Sequence, residues 1–287
     1  MAIKYQITPK YIAWRIEKIL CNLVPSAALR KKLKASMPRK WDVISFSQKD
    51  MEKYQQLLQN YPDILSKEET LEAALNICSF SRIGDGEFNT IIGKRNSFND
   101  ADAKLALRLK EICENGSDEH CLVCLNNYKL KKGHSGYTWF LHHGTRYLED
   151  VLATVTFKKE KYGEAYFVLS NTQDKNGLNW KGIDRIKSLW NEQKLLIVCN
   201  KKSPLVQDQL NIFNNVLQKD FLFIPDRNAF DSYNQLVDNI KKYDTSWKVY
   251  LEAGATASVL AWDLSHLGYQ MFDMGDFYKR SLVALKK

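Results

Sequence analysis

The sharpest chemistry in the sequence lies in SRIGDGEFNTIIG, residues 81–93. Asp85 and Glu87 stand two residues apart, flanked and separated by Gly84 and Gly86. On an extended or turning backbone both carboxylates can reach one hard cation. Mg2+ or Mn2+ favours such oxygen ligands and usually shares itself with substrate phosphates. The glycines let the chain turn tightly and approach a ligand closely. Arg82 adds a fixed positive charge suited to a diphosphate or carboxylate. Asp-Gly pairs are also common in solvated turns, so a purely structural reading of this stretch stays open.

A second cluster is LEAGATASVLAWDLSHLGYQMFDMGDFY, residues 251–278. An apolar strand runs into Gly254, and Thr256 and Ser258 open a helix whose first N–H groups form an anion site suited to phosphate. Any strand–turn–helix joint needs a glycine and a cap, so this signal also has a structural explanation. Asp273 and Asp276 follow a further short strand, where they can act as a base, bind sugar hydroxyls or simply face solvent. His134 and His143 lie in KKGHSGYTWFLHHGTRY beside Tyr137 and Trp139, a composition suited to lining an acceptor site.

These residues need a scaffold, and the hydrophobic pattern supplies one. Apolar runs predict strands at Ile77–Ile83, Cys121–Leu125, Ala165–Leu169, Leu195–Cys199, Phe221–Ile224, Lys248–Glu252 and near Gln270–Phe272. Helical patterns fall between them, at about 101–114, 137–154, 183–193, 205–218, 231–243 and 256–267. Such alternation predicts an α/β fold, a mainly parallel sheet with helices on both faces. Ligands of open α/β sheets bind beyond the carboxyl ends of the strands, where both clusters fall. The polar stretch 171–182 reads as a lid or substrate loop. Ser66 and Glu69 form a capping box ahead of another helix.

Composition narrows the class. At 45% apolar and 26% charged residues over 287 positions, the chain is that of an ordinary globular protein, with no apolar run long enough to span a bilayer. The N-terminus lacks the apolar stretch and cleavage site of a secretory signal, so a cytoplasmic location is expected. The six cysteines read as reduced core thiols, including Cys121 and Cys124, which have no partner pair at zinc-finger spacing.

The net charge of +9 is concentrated. Residues 1–41 carry ten Lys or Arg and one acid, Glu17, whereas the rest of the chain balances at 32 of each sign. A neutral main domain argues against a nucleic-acid partner. Within the basic segment, Ile12, Ile16, Ile19, Leu20 and Leu23 fall on one helical stripe; Pro25 ends that helix, Ser26 caps the next, and a basic cluster follows. This pattern suits peripheral contact with a membrane surface through residues 1–41, or docking onto the protein's own domain. Residues 1–45 are therefore read as a basic amphipathic helical extension and 46–287 as the main domain.

The R-x-G-D-G-E segment resembles the signature of the GT-D-type bacterial glycosyltransferases. YGEAYFVLSNTQDK (162–175), PDRNAFDSYNQLVDNI (225–240) and the closing 251–276 segment are similar to that family in the same order, so the resemblance runs from about 78 to 278. It implies a Rossmann-like fold and transfer of a sugar from a UDP-sugar donor, assisted by Mn2+ or Mg2+. By that resemblance Asp85 and Glu87 are the metal or diphosphate acids and Arg82, Gly84 and Gly86 their neighbours. Asn228 lies at the edge of the donor site, Gly254 and Thr256 at the helix-start joint. Asp276, His134 or His143 are the base candidates.

The implied acceptors are a surface glycan, a lipid-linked oligosaccharide or a protein, at the inner membrane face. Departures are Gly254-Ala255-Thr256-Ala257 in place of G-P-T-A, and Asp276 in place of a histidine. An expected arginine and glycine are missing from CNKKSPLVQ, where Lys201 and Lys202 supply charge. A non-catalytic nucleotide-sugar-binding subunit, or a metal-dependent phosphohydrolase, are the competing readings.

Overall fold

The computed structural model describes residues 6–38, 40–129, 148–158, 160–174 and 177–285. The chain divides into two compact units, residues 1–61 with 128–152, and residues 62–127 with 153–287. In the first, α1 (Pro9–Leu23) starts behind Thr8, whose hydroxyl accepts from Tyr11 N, with proline at the first helical position. It ends at Val24, which Pro25 biases toward the extended conformation it adopts (φ −68°, ψ 118°). Ser26 then caps α2 (Ala27–Ser36), accepting from Leu29 N at 3.3 Å. The short α3 (Lys40–Val43) and α4 (Gln48–Gln59) follow. Tyr11 and Trp14 pack with Val43 and Ile44 in the unit's apolar cluster.

The second unit is built on eight parallel strands. In chain order its elements are β1 (Asp63–Ile64), α5 (Lys67–Ile77), β2 (Phe80–Ile83), α6 (Asp85–Ile91), α7 (Ala103–Asn115), β3 (Leu122–Leu125) and β4 (Lys161–Glu164). Next come α8 (Phe167–Thr172), β5 (Gln173–Asp174), β6 (Gly177–Leu178), α9 (Trp180–Lys187), β7 (Lys194–Asn200) and β8 (Gln218–Ile224). The chain closes with α10 (Tyr233–Ile240), β9 (Trp247–Leu251), α11 (Ala255–Ser265), β10 (Gln270–Asp273) and α12 (Phe277–Leu285). The sheet order is β1-β4-β3-β2-β10-β9-β7-β8, while β5 and β6 form a separate antiparallel ribbon.

Both faces of the sheet are buried. Along β7, Leu195, Ile197 and Cys199 join one core cluster and Leu196 and Val198 the other. Tyr250 and Phe272 likewise oppose Val249 and Met271. Period-two alternation of apolar residues into two cores is what a parallel sheet between helical layers requires. The expected α/β architecture is thus present. Among the described residues, no helix is long and apolar enough to cross a membrane. The six cysteines are free, and Cys121 and Cys124 are core residues.

Two element expectations are corrected. The predicted strand at Ala165–Leu169 is instead the start of α8, and the strand lies just before it, at Lys161–Glu164. A short apolar run cannot by itself distinguish a buried strand from a buried helix. Gly163 carries the true strand: a Cβ there would come within 2.5 Å of Cys124 Sγ, so only glycine lets β4 lie this close to β3.

The predicted helix at 205–218 is also absent. A single 3-10 turn at Pro204–Gln207 gives way to turns, because the Asp208 carboxylate accepts from Ile212 N (2.9 Å) and Phe213 N (3.2 Å). Those side-chain bonds compete with helical ones. Within the 171–182 stretch, Gln173–Asp174 and Gly177–Leu178 pair as the β5–β6 ribbon between α8 and α9. Most of the predicted 137–154 helix, with its histidines, lies outside the described residues, and 148–154 is helical.

Candidate active site

The chain leaves β2 in one direction to build β3 and β4, and later returns to place β10 on β2's other side. Neighbouring connections therefore diverge between β2 and β10, the topological position at which open α/β sheets leave a crevice. A cavity of about 910 Å³ opens there, lined by Arg82, Gly84, Asp85, Gly86, Glu87, Asn228, Gly254 and Asp276 among others. The structure thus brings eight of the candidate residues to one cavity, with Asp273 also in its lining, while His134 and His143 lie outside the described residues. Thr256 is the exception: it sits in the first turn of α11, fully buried and away from the lining.

The turn after β2 is already helical at Asp85. Asp85 and Glu87 occupy the first turn of α6, and Glu87 Oε2 accepts from Gly84 N at 2.8 Å. In place of the expected extended or turning backbone, the chain forms a helix start that Glu87 caps. Positions two apart on a helix do not face one another, but the cap folds the Glu87 carboxylate back to the start of the turn that carries Asp85. Burial, reinforced by the charge of Asp273, pushes the Glu87 carboxyl up to about 7. Asp85 accepts from Tyr166 Oη at 3.4 Å. Burial pushes the Tyr166 phenol upward, so it stays protonated and remains a donor.

Arg82 is locked beneath the cavity. Its Nε donates to Asp273 O (2.6 Å), its Nη1 to Ala165 O (3.0 Å), and its Nη2 lies 3.7 Å from Asp273 Oδ1. Asp273 Oδ2 in turn accepts from Arg82 N (3.0 Å) and Ser258 Oγ (3.1 Å). The pair ties β2 to β10 at the switch point. Gly275, at φ +53°, makes room for it: a Cβ there would fall 1.9 Å from Arg82 Nη2.

Asn228 holds the cavity wall. It adopts a left-handed conformation (φ 52°) that asparagine tolerates, donates N–H to Phe98 O, and accepts from Asp100 N, both at 2.9 Å. Its Nδ2 also donates to Asp100 Oδ2 at 2.9 Å. Gly254 (φ +55°) caps α11 where a Cβ would press on Phe98 Cβ at 3.2 Å. At the other side Asp276 accepts from Arg280 Nε at 2.6 Å. Lys202 pairs with Asp226 at 2.9 Å and neither it nor Lys201 lines the cavity.

Sequence reasoning missed Glu252. It follows β9, lines the cavity, accepts from Ser203 Oγ at 2.9 Å, and has burial push its carboxyl up to about 7. Asn126 after β3, Asn200 at the end of β7, Tyr166 and Arg280 also line the cavity. A usable signal existed: the first polar residue after each apolar strand run points to this one edge of the sheet.

The oxygen donors at the β2–α6 turn match the chemistry of a hard cation, which takes one or two carboxylates and completes its shell with phosphates and water. Asp85 Oδ1 accepts from Tyr166 Oη. Glu87 Oε1 is left over from the cap made by Oε2. Among the described residues, no group of three or more His, Cys, Asp or Glu could hold a metal unaided.

A family model, the glycosyltransferase GT-D fold, matches residues 80–280. A probable glycosyl transferase Gly from Streptococcus gordonii is 25% identical over 222 residues, 74% of this chain and 31% of that protein. Glycosyltransferase GlyD from Streptococcus pneumoniae serotype 4 is 25% identical over 209 residues, 69% of this chain and 24% of that protein. The chain spans about a third and a quarter of the length of these two curated relatives.

Among solved structures, a glycosyltransferase (DUF1792) from Streptococcus sanguinis superposes with a TM-score of 0.68 at 24% identity, covering 78% of this chain and 84% of that one. A domain of unknown function 1792, described as having a distinct glycosyltransferase fold, gives a TM-score of 0.68 at 26% identity, covering 79% and 82%. The family match begins at β2, takes in the cavity edge of the sheet and ends within α12, and the chain belongs to the glycosyltransferase family of the GT-D fold.

Proposed function

We propose that this chain transfers a sugar from a UDP-sugar to a hydroxyl of a bacterial surface glycan, a lipid-linked oligosaccharide or a protein. The observation that carries the reading is Asp85 and Glu87 on the first helical turn after the central strand, at the mouth of a cavity of about 910 Å³. That volume lies in the range of small-molecule sites.

Asp85 and Glu87 would hold Mn2+ or Mg2+, which when bound neutralises charge on a diphosphate leaving group. The rest of the work falls to the chain. Gly254, at the start of α11, lines the cavity, and the N–H groups of a helix start favour phosphate oxygens. Tyr166, kept protonated by burial, orients Asp85. Asn228 holds the 96–100 wall that encloses the donor. Asp276 and Glu252 are the carboxylates available to take the acceptor proton in an inverting reaction. Glu252, poised near neutrality, matches the requirement that a general base titrate close to the working pH.

Calorimetric titration of UDP with and without Mn2+, beside Asp85→Asn/Glu87→Gln, tests the donor site. The expected result is Mn2+-dependent binding that the double variant loses by at least about tenfold. UDP binding unaffected by either change would remove the donor-site assignment. Release of UDP from a UDP-sugar at a rate indifferent to any acceptor would favour hydrolysis over transfer.

A further inference from the structure

α1 is a helix with two apolar faces, of which one is packed and the other exposed among the described residues. Tyr11, Trp14 and Cys21 are buried, Trp14 Nε1 donates to Pro38 O at 2.8 Å, and Tyr11 and Trp14 pack on Val43 and Ile44. Taking roughly 100° per residue around a helix, Ile12, Ile16, Ile19, Leu20 and Leu23 centre on the opposite side. All five are exposed: Ile16 by 52%, Leu20 by 57% and Leu23 by 71%. The stripe that could have docked onto the protein's own domain therefore points away from the contact α1 makes within its unit. On α2, which buries no residue, Leu29 and Leu33 form a second exposed pair one helical turn apart.

The charge beside this apolar surface is nearly all of one sign. Across α1 and α2, Lys10, Arg15, Lys18, Arg30, Lys31, Lys32 and Lys34 face a single acid, Glu17. Arg15 follows the stripe along one edge, Lys18 falls on the Tyr11–Trp14 face, and Arg30 and Lys32 fall on either side of the Leu29–Leu33 pair. Lys18 Nζ also lies 4.9 Å above the Trp14 ring, a contact that holds the charge against the helix. A protein-binding groove has no need for this excess of cations, whereas an anionic bilayer answers both features. Acyl chains take up the isoleucines and leucines while acidic headgroups pair with the lysines and arginines.

We propose that α1 and α2 form an interfacial anchor for an anionic lipid surface, lying in the headgroup plane with the Ile12–Leu23 stripe inward. The proposal goes beyond the transfer reaction. It would hold the chain at the surface where lipid-linked acceptors are found, whichever sugar is moved.

The test is co-sedimentation of the full chain with phosphatidylcholine vesicles with and without phosphatidylglycerol, followed across rising salt. Binding is expected only with phosphatidylglycerol present, weakening as salt screens the charge. Ile16→Glu/Leu20→Glu should reduce vesicle affinity by at least about tenfold, since two exposed side chains lose their apolar transfer. UDP binding should be unchanged in that variant, which separates failure of the anchor from failure of the donor site. Neutralising Arg30, Lys31, Lys32 and Lys34 to Gln should weaken binding to acidic vesicles and flatten its salt dependence. These residues are surface-exposed or half-buried, so circular dichroism should show both variants folded. Absence of sedimentation with acidic vesicles would overturn the proposal, and so would binding unaltered by Ile16→Glu/Leu20→Glu. A wild-type dimer that this variant turns into a monomer, with vesicle binding unchanged, would assign the stripe to a second copy and equally overturn it.

Discussion

Glu252 combines two properties that are separable by experiment. Its carboxyl is pushed up to about 7 by burial, with Ser203 and Lys279 acting against that rise and Asp276 adding to it. The folded state therefore holds a proton that the unfolded chain has already released, from the unfolded value near 4.5 up to about 7. Stability falls as pH rises through that window, because the native state binds the extra proton. Glu252→Gln keeps an oxygen for Ser203 and removes the ionisation. Thermal unfolding should find the variant indistinguishable at pH 4 and about 3 kcal/mol more stable at pH 8. Transfer activity should drop by about a hundredfold or more if Glu252 takes the acceptor proton. A variant that gains stability and keeps its activity would leave Asp276, His134 or His143 as the base.

Local elements are held by short-range chemistry that can be cut one bond at a time. Ser66 and Glu69 cap α5 reciprocally: Glu69 N donates to Ser66 Oγ (3.2 Å) and Ser66 N to Glu69 Oε2 (2.8 Å). Ser66→Ala should cost about 1 kcal/mol in denaturant unfolding, and leave UDP binding intact, because α5 contributes nothing to the cavity lining. At α6, where the N-cap is Gly84, only the carboxylate half of that device is present, and it has a different consequence. There the capping carboxylate is Glu87, so forming the helix and shaping the site use one side chain. Where side-chain bonds oppose helix formation, as at Asp208, the apolar periodicity of 205–218 yields turns instead.

At the scale of the molecule, the sheet's large aromatic residues join elements distant in sequence. Trp190 is fully buried, with ring centroids 5.9 Å from Phe213, 5.8 Å from Tyr250 and 6.3 Å from Phe272, and its Nε1 donates to Ile212 O at 3.2 Å. Trp190→Ala should destabilise the larger unit by about 3–5 kcal/mol in chemical denaturation, the loss expected when a buried aromatic leaves a cavity. Charge is distributed on the same scale. Residues 1–41 hold the whole net +9 while the rest of the chain is balanced, so long-range attraction to an anionic surface would act on the N-terminal helices.

Much of this was legible in the sequence. Continuous apolar runs such as LLIVC marked the central strands, since a parallel strand buried on both faces has no polar side to show. Ser26, Ser66 and Pro25 declared helix boundaries through local hydrogen bonding and the restricted backbone around proline. The R-x-G-D-G-E turn, and the order of segments after it, pointed to the family that the match over 80–280 establishes. Other properties depend on which strands become neighbours. Asp273 lies 191 positions from Arg82, yet the two meet because β10 pairs with β2. That pairing turns Arg82 into a buried strut, places Gly275 against it, and gathers Glu252, Tyr166 and Arg280 around the same cavity. The direction of the α1 stripe was likewise beyond periodicity, which reveals that a helix has an apolar face but not what covers it. Hydrophobic pattern and local bonding are written along the chain; contacts between distant residues, and the burial that shifts a carboxyl toward neutrality, exist only once the sheet has closed.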